Sequence, residues 1–251
     1  MKSLTRRLAL ASALLLVAHT GWAQTVDEVI ERSLAAIGGR AALGKLTSQS
    51  ATGTITLTTP GGPVSGTVEI LSALPNKSRT LINVDLSSLG AGRLVVDQRF
   101  DGTSGYVMDS LQGNRDITGN QLDNIRNGSF PSLLLNYKKS GATVTLGAKE
   151  KVGDRDAYPL SFDFPTGSVV HQYVDAETWL TLKVVMKIDL PELGREIQQT
   201  NELSDYRKVG DVKVAFEFRS SSEIQSLTIK LDRVEHNVAV DQKLFVKPPK
   251  P

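Results

Sequence analysis

Cysteine is missing from the 251 residues, and this absence removes two possibilities at once. The chain can form no disulfide, and it lacks the thiol through which a bacterial lipoprotein carries its lipid anchor. Long apolar runs are also scarce, since the one unbroken run follows the basic residues Lys2, Arg6 and Arg7. That run is shorter than the ~20 residues a membrane-spanning helix needs, and small residues follow it. We therefore expect residues 1–23 to be a cleaved secretory signal peptide.

Histidine is scarce as well, and only His171 and His236 lie beyond the predicted signal peptide. Neither has the spacing of a metal-binding pair, and the segment GTSG at residues 102–105 lacks the Gly-x-Ser-x-Gly form of a catalytic serine. The segment GRAALGK at residues 39–45 matches part of a phosphate-binding loop, but a helical pattern precedes it and Leu46 replaces the hydroxyl residue. We therefore expect no enzyme, no metal and no cofactor.

Neither sign of charge is in large excess. The full chain has 29 basic and 27 acidic residues, and loss of Lys2, Arg6 and Arg7 with the signal peptide leaves 26 basic and 27 acidic. A nucleic-acid-binding domain would need a basic surface, so we expect no nucleic-acid partner. The remaining residues, 24–251, contain no linker or low-complexity segment, which predicts a single domain.

Two stretches have helical periodicity. Residues 25–37 place apolar side chains on one face, and Thr25 with Glu28 is expected to form a capping box. A longer pattern covers residues 118–139, where Gly128 is expected to divide it into two short helices. Its apolar face must be buried, and the available partner is the concave side of a curved sheet. This central segment is therefore either a plug that fills the sheet or a lid over a cavity.

Strand patterns occupy most of the remaining chain. Turn signals separate the predicted strands 52–59, 64–74, 77–86, 93–100 and 106–110, and strands resume at Ala142 after the helical segment. The tetrapeptide KVGD occurs at residues 151–154 and 208–211, and both copies are predicted to be hairpin turns. In residues 181–190 apolar side chains alternate with polar ones, which is typical of an antiparallel sheet with one buried face.

Four segments resemble a known family. They are residues 27–54 (from DEVI to ATGT), 173–180 (YVDAETWL), 204–213 (SDYRKVGDVK) and 234–245 (VEHNVAVDQKLF). Together these segments resemble periplasmic LolA-like proteins, the group that includes outer-membrane lipoprotein-sorting carriers. The likeness spans nearly the whole mature chain, and its motifs are structural turns and strand ends without a chemical signature.

The resemblance implies a mainly β (α+β) fold. We expect a strongly curved antiparallel sheet, or unclosed β-barrel, of about eleven strands that covers an N-terminal helix and a central helical lid. It also implies residence in the periplasm, a single LolA-like half-barrel domain over residues 24–251, and an apolar cavity for a lipid or lipoprotein acyl chain. Envelope membrane proteins would act as donor and acceptor of the cargo, and the chain is expected to be a monomer.

The candidate site follows from the helical segment and the alternating strand. Each apolar side chain in these two segments could equally well belong to a solid core, so both interpretations, a cavity and a filled interior, remain possible. Met186 would adapt to varied acyl chains because its side chain is unbranched and flexible. The residues expected to bind lipid are Leu122, Ile125, Phe130, Leu133, Leu134, Leu182, Val184, Met186 and Ile188.

A second hypothesis uses the same fold for another purpose. A cell-envelope sensor or interaction protein would dock a partner on an exposed sheet edge or on the proline-rich tail, residues 247–251, without transporting lipid. The two hypotheses differ in one observable feature, because a carrier requires a cavity and a sensor does not.

Overall fold

The computed structural model describes residues 24–128, 130–190 and 194–249, so the predicted signal peptide lies outside the described residues. The helices within these ranges are α1 Val26–Ala36, α2 Gly39–Leu43, α3 Gly119–Asn127 and α4 Leu133–Ser140. The strands are β1 Ser48–Thr59, β2 Gly62–Ala73, β3 Lys77–Asp85, β4 Arg93–Phe100, β5 Gly105–Asp109, β6 Arg115–Ile117, β7 Thr143–Leu146, β8 Glu150–Val152, β9 Arg155–Asp163, β10 Val169–Asp175, β11 Thr181–Leu190, β12 Arg195–Val209, β13 Val212–Ser221 and β14 Ser226–His236.

All of these strands join one 14-stranded antiparallel sheet. Its order is β6-β5-β4-β3-β2-β1-β14-β13-β12-β11-β10-β9-β7, and β8 also pairs with β9. Within the described chain the end strands β6 and β7 do not pair with each other, so the barrel is unclosed. The predicted fold class is therefore confirmed. The prediction of about eleven strands was too low because β6, β7 and β8 have only three or four residues, too few to show alternation.

Several local predictions are confirmed at the residue level. Strand β4 has the predicted bounds, and the two KVGD segments form the turns between β8 and β9 and between β12 and β13. The capping box of α1 is present, since the Glu28 amide donates to Thr25 Oγ1 and the Thr25 amide donates to Glu28 Oε2. Gly128 separates α3 from α4 as expected.

Strand register places the alternating apolar side chains on a shared face of the sheet. Val170 of β10 lies opposite Phe162 of β9 and Met186 of β11, so these three side chains point the same way. Val29 and Leu34 of α1 pack with the buried Phe162 in the largest core cluster of the described residues. The helices therefore lie on this face, which is the concave one.

The two central helices have different burial, which answers the question of plug or lid. Helix α4 is a plug, because Leu134 and Tyr137 are buried in the main core cluster and the Tyr137 ring contacts Phe162 edge to face. Helix α3 contributes no buried apolar residue, and its one buried side chain is Asn127. Polar contacts hold α3 in place, as described below.

Two glycines mark close approaches between strands. A Cβ atom built on Gly53 would lie 2.1 Å from the Lys230 carbonyl oxygen, and one on Gly66 would lie 2.1 Å from the Asn83 carbonyl oxygen. Gly53 also adjoins the irregularity in the pairing of β1 with β14. A side chain fits at neither position, because the neighbouring backbone occupies its space. These glycines permit the close approach of β1 to β14 and of β2 to β3.

The turn after β10 is built around the buried carboxylate of Asp175. This carboxylate accepts hydrogen bonds from the Arg155 guanidinium, from the backbone amides of Glu177 and Thr178, and from the Thr178 hydroxyl. Burial raises the pKa of Asp175, but the hydrogen bonds outweigh it and lower the pKa to about 2. The segment YVDAETWL is therefore a structural turn, and its role is to fix the chain direction between β10 and β11.

The C-terminal segment, residues 237–249, lies across the outer face of the sheet. Phe245 is only 1% exposed, the Arg99 guanidinium donates to the Val246 carbonyl oxygen, and Lys247 pairs with Asp116 at 2.7 Å. Lys247 also lies over the ring of Tyr106. The described part of the proline-rich tail is thus held against β4, β5 and β6, and it does not project as a separate docking arm.

Candidate ligand-binding cavity

A cavity of about 790 Å³ lies on the concave face of the sheet beside α3. Its volume is within the ~300–1,000 Å³ typical of small-molecule sites. Strands from both halves of the sheet form its wall, so it occupies the middle of the half-barrel. The apolar residues that line it are Ile82, Ile125, Met186, Ile188, Ile224 and Leu227.

The remaining wall of the cavity is rich in amide groups. Five glutamines contribute to it, and Asn124, Ser220 and Ser222 add further polar atoms. Among the described residues that line the cavity, Arg115 is the only cation and Asp189 the only acid. The interior is therefore amphipathic and offers both apolar surface and hydrogen-bonding groups. The five glutamines are Gln98, Gln112, Gln121, Gln199 and Gln225.

Helix α3 forms one wall and is attached to the sheet by side-chain hydrogen bonds. At its first turn, Asn120 donates to Asp189 from both its backbone amide and its side-chain amide. The acid thereby caps the positive end of the helix from a neighbouring strand. One turn later Asn124 Nδ2 donates to the Lys187 carbonyl oxygen at 2.6 Å, which ties α3 to β11 a second time.

The last turn of α3 contacts elements on both sides of the opening in the sheet. Asn127 Nδ2 donates to Ser168 Oγ at 2.8 Å in the turn before β10. On the opposite side, Asn76 Nδ2 donates to the Arg126 carbonyl oxygen at 2.6 Å, and the Arg126 side chain reaches the Thr103 carbonyl oxygen. Helix α3 therefore bridges the β3–β5 region and the β10–β11 region across the interior.

One end of the cavity opens at the hairpin between β13 and β14. Ser222, Ile224 and Gln225 lie in this hairpin and form part of the lining. Ile224 is 56% exposed, which is unusual for a large apolar side chain. An apolar group thus stands at the rim, where a ligand would enter or leave.

The residues predicted to bind lipid occupy three kinds of position. Ile125, Met186 and Ile188 line the cavity, whereas Leu134 is buried in the main core cluster. Phe130, Leu133 and Val184 are partly buried and pack against that cluster. Leu122 and Leu182 are also partly buried. The structure therefore brings three of the nine residues to the cavity, and their role in lipid binding stays a prediction.

The polar lining was not predicted from the sequence, because apolar alternation does not mark polar side chains that face inward. A usable signal was present, since Gln98 interrupts the apolar inward positions that begin with Leu94 and Val96 in β4. Ser220 interrupts the same pattern after Phe216 and Phe218 in β13. A polar residue at an inward strand position indicates a polar ligand or a solvated interior.

The two histidines lie outside this cavity. His236 Nε2 lies 3.1 Å from Gln49 Oε1, and burial lowers the pKa of this histidine. His171 is exposed on the other face of the sheet and borders a recess of about 160 Å³.

Within the described residues no group of three or more histidine or acidic side chains is placed to hold a metal ion. No helix in the described part of the chain has the length and apolarity to cross a membrane.

The geometry defines a class of protein: an unclosed antiparallel half-barrel, filled on one side by α1 and α4, with an amphipathic cavity on its concave face. The sequence matches no family model and no curated protein. Solved structures give a clearer comparison, and the chain has the LolA-like fold that they share.

Three solved structures illustrate this similarity. A LolA superfamily protein from Nitrosomonas europaea has a TM-score of 0.56 at 14% identity, over 90% of this chain and 99% of the other. A DUF1329 family protein from Desulfovibrio piger has a TM-score of 0.56 at 13% identity, over 89% and 98% of the two chains. A domain from Vibrio parahaemolyticus, described as an outer-membrane lipoprotein-sorting protein, has a TM-score of 0.54 at 11% identity, over 87% and 94%. At these identities the likeness concerns the fold.

Proposed function

We propose that this protein is a periplasmic carrier that binds the acyl chain of a lipid or lipoprotein in the 790 Å³ cavity. The observation that carries the proposal is that this cavity lies on the concave face of a LolA-like half-barrel, beside a helix held by polar contacts. Ile125, Met186 and Ile188 would contact the chain, and α3 would act as the lid. The predicted signal peptide would direct export, and envelope membrane proteins would load and unload the carrier.

The energies involved are compatible with reversible loading. Six side-chain contacts hold α3: those of Asn120 with Asp189 and with Glu196, Asn124 with Lys187, Asn127 with Ser168, Asn76 with Arg126, and Arg126 with Thr103. At a net ~0.5–1.5 kcal/mol each, releasing the helix costs about 3–9 kcal/mol. An acyl chain that buries about eight methylenes gains ~6 kcal/mol. The lid would therefore open only transiently, and once it closes again over the bound chain its hydrogen bonds are restored and the burial energy remains as binding affinity.

Native mass spectrometry provides the first test. The full chain would be expressed with its signal peptide in a bacterium, purified from the periplasm without detergent, and analysed before and after lipid extraction. We expect a mature N-terminus near Gln24 and a stoichiometric lipid adduct. A chain that carries no lipid and takes up no fluorescent fatty acid would contradict the carrier proposal and favour the partner-binding hypothesis.

A reversible disulfide tests the lid directly, because the chain has no cysteine of its own. A Cβ atom at Gly119 would lie 3.4 Å from Asp189 Cγ, so a Gly119→Cys, Asp189→Cys pair is within bonding reach. We expect the oxidised variant to take up and release lipid much more slowly than the same variant after reduction. Comparing two redox states of one protein cancels the effects of the substitutions themselves.

A matched disulfide far from α3 provides the control. Thr56 and Ser65 face each other in the β1–β2 hairpin, with their hydroxyl oxygens 2.9 Å apart. The Thr56→Cys, Ser65→Cys pair should exchange lipid at the same rate in both redox states. Equal exchange rates in the oxidised and reduced forms of the α3 pair would refute the lid mechanism.

A further inference from the structure

Two buried polar atoms in the cavity wall have no hydrogen-bond partner. Within the described residues these atoms are Arg115 Nη1 and Asn124 Oδ1, and both side chains line the 790 Å³ cavity. Buried polar groups in folded proteins almost always have partners, and an unpartnered guanidinium nitrogen is especially costly. Both atoms are covered by neighbouring atoms, and a small shift of the cavity wall would let a ligand supply the missing partners.

The charge of Arg115 is not neutralised by the acid in the same wall. Both carboxylate oxygens of Asp189 instead accept hydrogen bonds from Asn120, one from its backbone amide and the other from its side chain. No ion pair of Arg115 occurs among the described residues. The guanidinium presents a planar set of donors that matches a carboxylate or a phosphate. An anion is thus the partner that suits this position.

Asn124 adds a second requirement. Its Nδ2 donates to the Lys187 carbonyl oxygen at 2.6 Å, and this bond fixes the orientation of the side-chain amide. Oδ1 is consequently left as an acceptor beside the cavity. The complementary ligand group is a donor, which means a hydroxyl or an amide N–H.

Both groups lie where the edge of the sheet approaches α3. Arg115 is in β6, the end strand, and its pairing with Val107 places it on the concave face. Ile125 of α3 and Ile188 of β11 line the same cavity and offer apolar surface to a chain. A ligand with its polar head group at Arg115 and Asn124 and its apolar tail along Ile125 and Ile188 would meet both the polar and the apolar parts of this wall.

We propose that the cavity selects an anionic single-chain amphiphile. Arg115 binds its carboxylate or phosphate, and Asn124 accepts a hydrogen bond from a hydroxyl or N–H close to that anion. A hydroxylated fatty acid and a monoacyl glycerol phosphate are two members of this chemical class. The inference rests on the proposed carrier function and adds to it a preference for one kind of head group.

The test compares three ligands of equal chain length: hexadecanoic acid, 3-hydroxyhexadecanoic acid and hexadecanol. Each displaces a fluorescent neutral lipid from the full mature chain. The carboxylate of the acid would form a charge-assisted hydrogen bond with the Arg115 guanidinium, whose Nη1 has no other partner among the described residues. We therefore expect the acid to bind about tenfold more tightly than the alcohol. The 3-hydroxy acid should bind more tightly than the plain acid.

Substitutions assign the preference to the two side chains. Arg115→Gln should reduce the preference for acid over alcohol to about twofold or less, because the amide has no charge. Arg93→Gln, at an exposed position in β4 outside the cavity, is the matched control and should keep the preference. Asn124→Leu should abolish the advantage of the 3-hydroxy acid. Circular dichroism and urea unfolding check that each variant is folded.

The outcomes separate this proposal from the carrier function. An acid preference that is absent, or that survives Arg115→Gln unchanged, overturns the head-group proposal while the carrier function stands. Failure of all three ligands to bind overturns both. Lysophosphatidic acid and inorganic phosphate distinguish the sources of a phosphate group. If inorganic phosphate binds in an Arg115-dependent way and the lipid does not, the site holds a small anion and the amphiphile proposal is wrong.

Discussion

Replacing Asp175 by asparagine should destabilise the protein in a way that depends on pH. The Asp175 side chain is 1% exposed and accepts from Arg155, Glu177 and Thr178 in the turn after β10. The same turn holds Trp179, whose ring stacks on Tyr158 at 5.4 Å. Asparagine keeps one acceptor oxygen but loses the charge, and its amide group would point a donor at the guanidinium.

The magnitude follows from the difference between the folded and unfolded pKa of Asp175. The pKa is about 2 in the folded chain and 3.8 in the reference state. Linkage converts this difference into about 2 kcal/mol of stability from the ionised carboxylate. Because the folded pKa is the lower one, the contribution is complete above about pH 5 and is lost as the pH falls towards 2.

Urea unfolding at a series of pH values measures the effect. At pH 7 the Asp175→Asn variant should unfold with a free energy at least about 2 kcal/mol below that of the parent, and the gap should narrow by about that amount near pH 2. Asp156→Asn is the control, since the exposed pair of Asp156 with Lys151 is screened by water and should matter far less. A gap of constant size across this pH range would refute the reasoning.

Two further substitutions test the packing of the sheet. Phe245→Ala should lower the free energy of unfolding by about 3–5 kcal/mol, because this buried ring anchors the C-terminal segment. Val246→Ala, at a position that is 41% exposed, is the control and should change the free energy by less than about 0.5 kcal/mol. Equal losses for the two variants in urea unfolding would show that the ring does not anchor the segment. Gly53→Ala should cost about 1–3 kcal/mol because its methyl group would meet the Lys230 carbonyl oxygen at 2.1 Å, and Gly61→Ala, which would meet only a flexible Leu89 side chain, is the control. If thermal unfolding shows a larger loss of stability for Gly61→Ala than for Gly53→Ala, the proposed close approach of the strands is contradicted.

Local features of the fold were readable from the sequence because they depend on near neighbours. Thr25 and Glu28 form a capping box whose two partners are three residues apart, and Gly128 interrupts a helical pattern. The strand 93–100 was correctly bounded because the turn signal Asp101-Gly102 directly follows its last residue. Strands β6, β7 and β8 were not, because three or four residues cannot establish a period of two.

The cavity was only partly predictable for a different reason. Ile125, Met186 and Ile188 were found through apolar periodicity, which marks a buried face without distinguishing a core from a cavity wall. Leu134 has the same signal and lies in the core. The assignment depends on which elements meet, and this is set by strand pairing between distant parts of the chain.

The sequence by itself determined the predominance of antiparallel strands, the division of the central helix and the one-sided burial of the sheet, because each of these follows from a short repeat in side-chain polarity. Only the tertiary structure decided that α4 fills the interior while α3 lies beside a cavity. It also decided that Arg115 of the end strand and Asn124 of α3 share one wall. Those relations arise from the curvature and register of the whole sheet, which no local pattern encodes.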